Sequence, residues 1–333
     1  MAVTQLNYAA KAIVDLQETA RGLTHYPQTY AMYQLICDLL DKADKFIMPN
    51  CCDLIDPDKF SARDYALLKV PYPLTVFEAP WIQETERIIP SQFATETSKK
   101  RIALLIESQH PAMHNILDIY GNPLRDSDGV MMIAIYHVGN KWNLHVGGFF
   151  LPYNVDPSAI TELSGLIGKR SRQYIESGYA SETGQLVETV PVFLMPEIVN
   201  LMAAQTGIET VVTDLLDNSR DEMMMTLQAC AIINCENIES EDLFVPKKLQ
   251  ESRKKKGKPP LHEYKVLNIG AEFYKIPSGN SSGGKSGPKM HKRRGHIRRL
   301  SDDRQTWVRH TVVNAGVKGS ITKAYSVSVP PKS

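Results

Sequence analysis

Residues 130–150 read VMMIAIYHVGNKWNLHVGGFF, and this stretch decides the fold. Two apolar runs of strand length, 130–138 and 142–150, flank the connection Gly139-Asn140-Lys141. Glycine and asparagine adopt positive φ more readily than other residues, and a tight hairpin turn requires such angles. The pattern predicts a β-hairpin and places antiparallel sheet at the centre of the chain.

Helical periodicity surrounds this hairpin. Apolar residues recur about every 3.6 positions from Leu6 to Leu16, and they predict a first helix that Gly22 can end. Similar patterns predict helices over 28–47, 62–69, 158–166, 196–204 and 220–235. Short apolar runs predict strands over 74–77 and 101–107. The expected fold class is α+β, with a mixed helical and antiparallel-sheet body and a small basic, mainly β C-terminal module.

Formal charge is distributed unevenly along the chain. Residues 247–333 contain 21 Lys and Arg against 5 Asp and Glu, whereas residues 1–246 contain 17 against 32. The net charge of +1 therefore combines +16 in the C-terminal region with −15 in the rest. Clustered Lys and Arg bind phosphate polymers through counterion release, which favours a nucleic-acid partner over mere neutralisation of the acidic body.

Composition changes abruptly at residues 246–260, PKKLQESRKKKGKPP. This segment is expected to be a basic linker, or an arm laid along a partner. It separates an acidic α+β body, residues 1–245, from a basic, mainly β module, residues 261–333. Within the module, β-like spacing predicts strands over 262–269, 290–300, 305–313 and 320–327.

The densest basic stretch is 291–299, HKRRGHIRR. In an extended chain its side chains alternate between two basic faces, so at least one face meets solvent or a ligand. Arginine makes paired hydrogen bonds to phosphate and can stack on bases. The predicted contacts to DNA or RNA are Arg253, Lys254, Lys255, Lys258, Lys292, Arg293, Arg294, His296, Arg298 and Arg299.

Two other functions are compatible with the same region. His291, His296 and His310 offer acid–base groups, so a nuclease that uses this His/Arg cluster is one alternative. The other is a protein that contacts a host protein, or counters a host defence, without binding nucleic acid. Binding is favoured over cleavage because basic patches are common and no carboxylate pair accompanies the histidines.

Two patterns that suggest a cofactor or a metal lack the required context. Residues 279–286, GNSSGGKS, match the phosphate-binding loop pattern, but prolines stand where a strand must end and a helix must begin. Glu107, His110 and His114 have ligand-like spacing that Pro111 interrupts. Neither a cofactor nor a metal is predicted.

The remaining bulk features predict a cytoplasmic protein without a membrane partner. The N-terminus lacks a basic region followed by an apolar core, and the apolar runs are far shorter than the ~20 residues of a spanning helix. Five cysteines, an odd number, argue against a disulfide framework. Cys37 and Cys230 lie in apolar helical runs and are expected to be buried thiols.

Four segments share patterns with one family. They are residues 68–78 (LKVPYPLTVFE, similar to L-P-[YF]-P-x-x-x-x-E), residues 234–237 (NCEN, similar to N-C-x-N), the stretch that begins at Leu249 (similar to L-N-x-x-R-x-x-x-G-K-x-P, with Gln250 in place of Asn), and residues 291–298 with Trp307-Val308 (similar to H-x-R-R-G-H-x-R…W-V). This set resembles uncharacterised proteins encoded by tailed bacteriophages and prophages. The resemblance implies a viral or prophage protein of the host cytoplasm, and it implies no particular activity.

Overall fold

The computed structural model describes residues 7–48, 50, 68–82, 98–119, 121–153, 190–235, 239–258, 260–268, 291–293, 296–300, 304–308 and 311–313. Within these residues, α-helices pack on a mixed β-sheet, so the α+β prediction is confirmed. No helix in this part of the chain is long and apolar enough to cross a membrane.

One large sheet dominates the described residues. Its nine strands are β1 Asp44–Ile47, β2 Leu74–Pro80, β3 Lys100–Glu107, β4 Gly129–Val138, β5 Lys141–Leu144, β6 Gly147–Pro152, β7 Val190–Phe193, β8 Glu239–Leu243 and β9 Tyr264–Asn268. The strand order is β7-β6-β4-β3-β2-β1-β9-β8, and β5 extends the pairing along β4. Strand β1 runs parallel to both β2 and β9, whereas the other neighbours are antiparallel.

The predicted hairpin is present, and its turn is tighter than expected. Gly139 and Asn140 have φ values of 60° and 64°, and Val138 pairs with Lys141. Positive φ at both central residues is the signature of a two-residue hairpin turn whose twist matches the strands.

The single strand predicted over 142–150 is divided in two. Strand β5 ends at Leu144 and β6 begins at Gly147. A Cβ on Gly147 would overlap the Val192 carbonyl oxygen of β7, and one on Gly148 would lie 2.5 Å from the Met132 carbonyl oxygen of β4. Because they have no side chain, the two glycines let β6 lie close to β4 and β7. The apolar pattern of the sequence does not reveal this close approach.

The helices lie partly where the sequence predicts them. They are α1 Tyr8–Arg21, α2 Pro27–Lys42, α3 Pro196–Thr206, α4 Ile208–Ile233 and α5 Lys247–Lys255, with 3₁₀-helices at Pro111–Asn115 and Leu124–Asp126. Gly22 ends α1 as expected. The helix predicted over 28–47 was wrong at its C-terminal end, because Asp44–Ile47 pairs with β2 and β9. Helix α4 starts twelve residues before its predicted start at residue 220.

Helices cover both faces of the sheet. Alternate β3 residues such as Ile102 and Leu104 pack with α1 and α2, whereas Ala103 and Leu105 pack with α4. This alternation follows from the period of two in a strand, and burial on both faces explains the almost continuous apolar sequence of β3 and β4.

The sheet continues beyond the boundary predicted after residue 245. Strand β9, assigned by sequence to the C-terminal module, lies between β1 and β8 in the large sheet. The segment predicted as a linker or arm contains helix α5. A separate domain for the rest of residues 261–333 remains a prediction.

The basic stretch near the C-terminus forms short strand pairs. Strand β10, His291–Arg293, pairs with β13, Thr311–Val313, and β11, His296–Arg299, pairs with β12, Gln305–Val308. These strands lie within the ranges predicted as strands, 290–300 and 305–313, and residues 294–295 and 309–310 lie outside the described residues. Of the helix expected over 62–69, residues 62–67 lie outside the described residues and residues 68–69 are not helical. The helix expected over 158–166 and the strand over 320–327 lie outside the described residues.

Candidate nucleic-acid interface

Helix α5 is a short helix with an exposed cationic side. It has no buried residue, and Lys247, Lys248, Lys254 and Lys255 are all exposed. Lysines at the first two and last two positions lie near one another on a helix surface, because residues seven or eight apart are two turns apart. The basic last turn also stabilises the C-terminal end of the helix dipole. The positive charge of the last turn therefore stabilises the helix and is also exposed to solvent.

The end of α5 is closed by a glycine. Gly257 has a φ of 61°, its N–H donates to the Lys254 carbonyl over 3.1 Å, and the Lys258 N–H donates to the Arg253 carbonyl over 3.0 Å. These bonds form a Schellman motif, which satisfies carbonyls that the helix end leaves unpaired. Glycine is favoured here because other residues adopt positive φ at a cost.

The inner side of α5 is fastened to the chain that leads into β9. The Gln250 amide nitrogen donates to the Leu261 carbonyl, and the Leu261 N–H donates to Gln250 Oε1 over 2.9 Å. These two hydrogen bonds hold α5 against Leu261, which is buried. The lysines on the outer side are therefore displayed from an anchored helix, which limits the entropy lost when they bind a ligand.

The exposed side of α5 carries little compensating negative charge. Glu251 is the one acid within 247–258, which contains seven Lys and Arg. Among the described residues, no ion pair is found for Lys254, Lys255 or Lys258. We call Lys247, Lys248, Lys254, Lys255 and Lys258 the α5 lysine surface.

The other predicted contacts lie on β10 and β11. Lys292 and Arg293 belong to β10, whereas His296, Arg298 and Arg299 belong to β11. Arg294 lies outside the described residues, so its alternation with His296 and Arg298 in an extended chain stays a prediction. Arg298 is exposed.

Two histidines and two cysteines of residues 1–245 are buried or hydrogen-bonded within the fold. Burial lowers the pKa of His145 to about 4 and raises the pKa of Cys37 to about 11 and that of Cys230 to about 12. Both predicted buried thiols are thus confirmed. The His110 Nδ1 accepts the Ala112 N–H over 3.2 Å, which caps a 3₁₀-helix. Within the described ranges, no group of three or more His, Cys, Asp or Glu is placed to hold a metal ion.

No sequence pattern indicated that Glu78 is a buried carboxylate with several hydrogen-bond partners. Its two oxygens accept the Tyr8 and Ala9 N–H groups at the start of α1, each over 2.8 Å, and Oε1 also accepts the Tyr264 hydroxyl over 2.8 Å. Helix α1 has no cap from its own Asn7, so Glu78 replaces it from the sheet. We call Asn7, Lys45, Glu78 and Tyr264 the Glu78 network.

Burial raises the pKa of Glu78, and its hydrogen bonds and the positive charge of Lys45 oppose that rise. Lys45 is itself buried, and its ammonium donates to the Asp41 and Ala43 carbonyls over 2.9 and 2.7 Å. Burial lowers the pKa of Lys45 to about 8, although Glu78 acts in the opposite direction. The sequence of β2 gave no sign of these partners, which come from distant segments.

A buried ion pair lies on the opposite face of the sheet. Arg101 of β3 contacts Glu222 over 2.9 Å and Asp221 over 2.5 Å, both on α4, and its guanidinium lies 5.6 Å from the ring centroid of Trp81. Burial raises the pKa of Glu222 to about 7, against the effect of Arg101. Asp221 is partly buried in this pair.

Several residues in the four segments that resemble the bacteriophage and prophage family have structural roles. Glu78 ends the first segment and caps α1. Asn234 donates to the Cys230 carbonyl over 2.8 Å at the end of α4. Gln250 fastens α5 and Gly257 ends it.

Comparison of the chain with protein-family models, curated proteins and solved structures found no match.

Proposed function

We propose that the chain binds nucleic acid, DNA or RNA, through the α5 lysine surface, extended by the basic residues of β10 and β11. The supporting observation is the anchored helix: Gln250 and Gly257 fix α5, while lysines occupy its outer side. A phage or prophage source and action in the host cytoplasm belong to the same proposal and derive from the sequence resemblance.

The physical basis is electrostatic. Each lysine that neutralises a phosphate releases condensed counterions, which makes binding favourable and salt-dependent. Lysine provides a compact charge with three donors, so this surface suits the backbone of a nucleic acid better than the edge of a particular base. Non-specific or weakly specific binding is therefore expected from α5.

The experiment compares two double variants across a salt series. Lys254→Ala with Lys255→Ala removes two charges from α5, and Lys99→Ala with Lys100→Ala removes two exposed charges at the start of β3. Loss of two phosphate contacts should reduce the slope of log K against log salt by roughly 2, whereas the control should leave the slope unchanged. Gel shift or fluorescence anisotropy measures both.

Two results would count against this proposal. Equal losses from the two pairs would indicate diffuse attraction instead of a surface on α5. Absence of binding to any nucleic acid, together with recovery of an acidic protein partner, would favour the host-protein alternative. Shortened oligonucleotide products that disappear in His296→Ala would instead favour the nuclease.

A further inference from the structure

A cleft of about 290 Å³ lies between α1 and the hairpin that joins α5 to β9. One wall carries Lys11 and Val14 of α1, and the other carries Arg253 and Leu261. The α1 residues at this wall are spaced by three or four, so they form one side of the helix, while Ala12 and Leu16 on the other side enter the core.

The lining of the cleft is largely aliphatic. Val14 is 44% exposed, and Ala10 and Leu261 complete an apolar surface beside it. Covering such a surface removes apolar area from water and is favourable. A flat, weakly hydrated group such as a nucleobase has the matching chemistry.

Cations flank this apolar surface. Lys11 is exposed, and Arg253 lines the opposite wall with a guanidinium, a group that stays charged and favours anions. Asp15 also lines the cleft, where its Oδ2 accepts the Trp142 backbone N–H over 2.9 Å, and its negative charge is outweighed by the two cations. The side-chain charges of the cleft therefore favour an anionic ligand.

The cleft adjoins the α5 lysine surface. Arg253 of the cleft is followed in α5 by Lys254 and Lys255, so the cleft and these lysines belong to the same turn of the helix. A strand bound to those lysines therefore passes close to the cleft.

We propose that the cleft receives one unstacked nucleotide of a single-stranded nucleic acid, with its base against Val14 and Leu261 and its phosphate between Lys11 and Arg253. This inference rests on the function proposed above. Its volume is at the lower end of the roughly 300–1,000 Å³ of ligand pockets, which suits one nucleotide. Bases in a duplex must first unpair and unstack, so single strands are preferred.

The experiment uses the full chain and two probes: a short single-stranded oligonucleotide that contains 2-aminopurine, and the duplex of the same sequence. Wild-type protein should bind the single strand more tightly, and 2-aminopurine fluorescence should rise as the base leaves its stack. Val14→Gln replaces a β-branched residue with a better helix former and makes the cleft wall polar. It should weaken single-strand binding roughly tenfold, abolish the fluorescence rise and leave duplex binding unchanged.

The matched control is Leu117→Gln. Leu117 is 45% exposed, close to the exposure of Val14, and it lies beside the 3₁₀-helices instead of the cleft. This control should match wild type in every measurement. Equal losses for Val14→Gln on both probes, or no loss on the single strand, would overturn the nucleotide cleft while binding itself stands. Failure of wild-type protein to bind either probe would overturn the proposed function as well.

Discussion

Among the described residues, each face of the sheet buries one glutamate, and the two carboxylates are held differently. Glu78, on the face covered by α1 and α2, accepts three hydrogen bonds from separate parts of the chain. Glu222, on the face covered by α4, contacts Arg101 through Oε1, and its Oε2 has no hydrogen-bond partner among the described residues.

This difference separates two uses of a buried charge. A carboxylate that accepts several donors joins those donors together, and its removal leaves each of them unsatisfied. A carboxylate with one ionic partner has less to offset its lost hydration, so burial favours its protonated form. Burial raises the pKa of both carboxyl groups, so both link stability to pH, but Glu78 also joins three donors from separate segments.

The largest effect is expected from truncation. A chain that ends at Val245 lacks β9, and therefore loses both the strand between β1 and β8 and the Tyr264 donor to Glu78. A chain that ends at Asn268 keeps both. We expect the shorter chain to lose cooperative thermal unfolding and the longer one to retain it, as measured by circular dichroism. Equal melting of the two chains would show that β9 contributes little.

Glu78→Ala is expected to lower the free energy of unfolding by about 3–5 kcal/mol, since it leaves the Tyr8 and Ala9 N–H groups and the Tyr264 hydroxyl without an acceptor. Glu222→Ala should cost less, because Arg101 retains Asp221. Urea denaturation measures both. A larger loss for Glu222→Ala would reverse the comparison between the two faces.

The pH dependence of stability tests Glu222 directly. Since burial raises its pKa from 4.5 to about 7, the folded state binds the proton more tightly, and this contribution to stability falls as pH rises from about 4.5 to 7. Glu222→Gln cannot titrate at this position. Its stability change between pH 5 and pH 7.5 should differ from that of wild type by about 2 kcal/mol, in the direction of a smaller loss at high pH.

Thermal or urea unfolding at the two pH values provides this measurement. The neighbouring charges, Arg101 and Asp221, remain in both proteins, so the difference isolates Glu222. An identical pH dependence in the variant would show that Glu222 does not titrate in this range.

The smallest effect is expected from Tyr264→Phe. This change keeps the ring of β9 but removes the hydroxyl that donates to Glu78 and lies 3.0 Å from Asn7 Oδ1. The loss should be about 1–2 kcal/mol, less than for Glu78→Ala, because the two α1 N–H donors remain paired. Tyr72→Phe, at a ring that is 36% exposed, is the control and should have little effect on unfolding in urea.

Local patterns predicted the elements whose signals lie within a few residues. Gly139-Asn140 specified the hairpin turn, and Gly22 ended α1 as expected. The segment Asp44–Ile47 was placed in a helix because its apolar residues continue the preceding helical pattern. It forms a strand because its backbone groups pair with β2 and β9, and such tertiary pairing overrides a weak local preference.

The candidate interface was predicted in part for the same reason. Clustered charge is visible in composition, so Arg253, Lys254, Lys255 and Lys258 were identified, whereas the anchoring of α5 depends on Leu261 and was not. The cleft beside α1 was also missed, because Lys11 and Arg253 become neighbours only through folding.

The sequence by itself determined the α+β class, the central hairpin and the concentration of positive charge after residue 246, because composition and short-period patterns carry this information. Only the tertiary structure decided that β9 belongs to the large sheet, that Glu78 caps α1, and that α5 presents its lysines from an anchored position. These features depend on hydrogen bonds between distant segments. Such partners leave no periodic signal in either segment and are defined when the backbone brings them together.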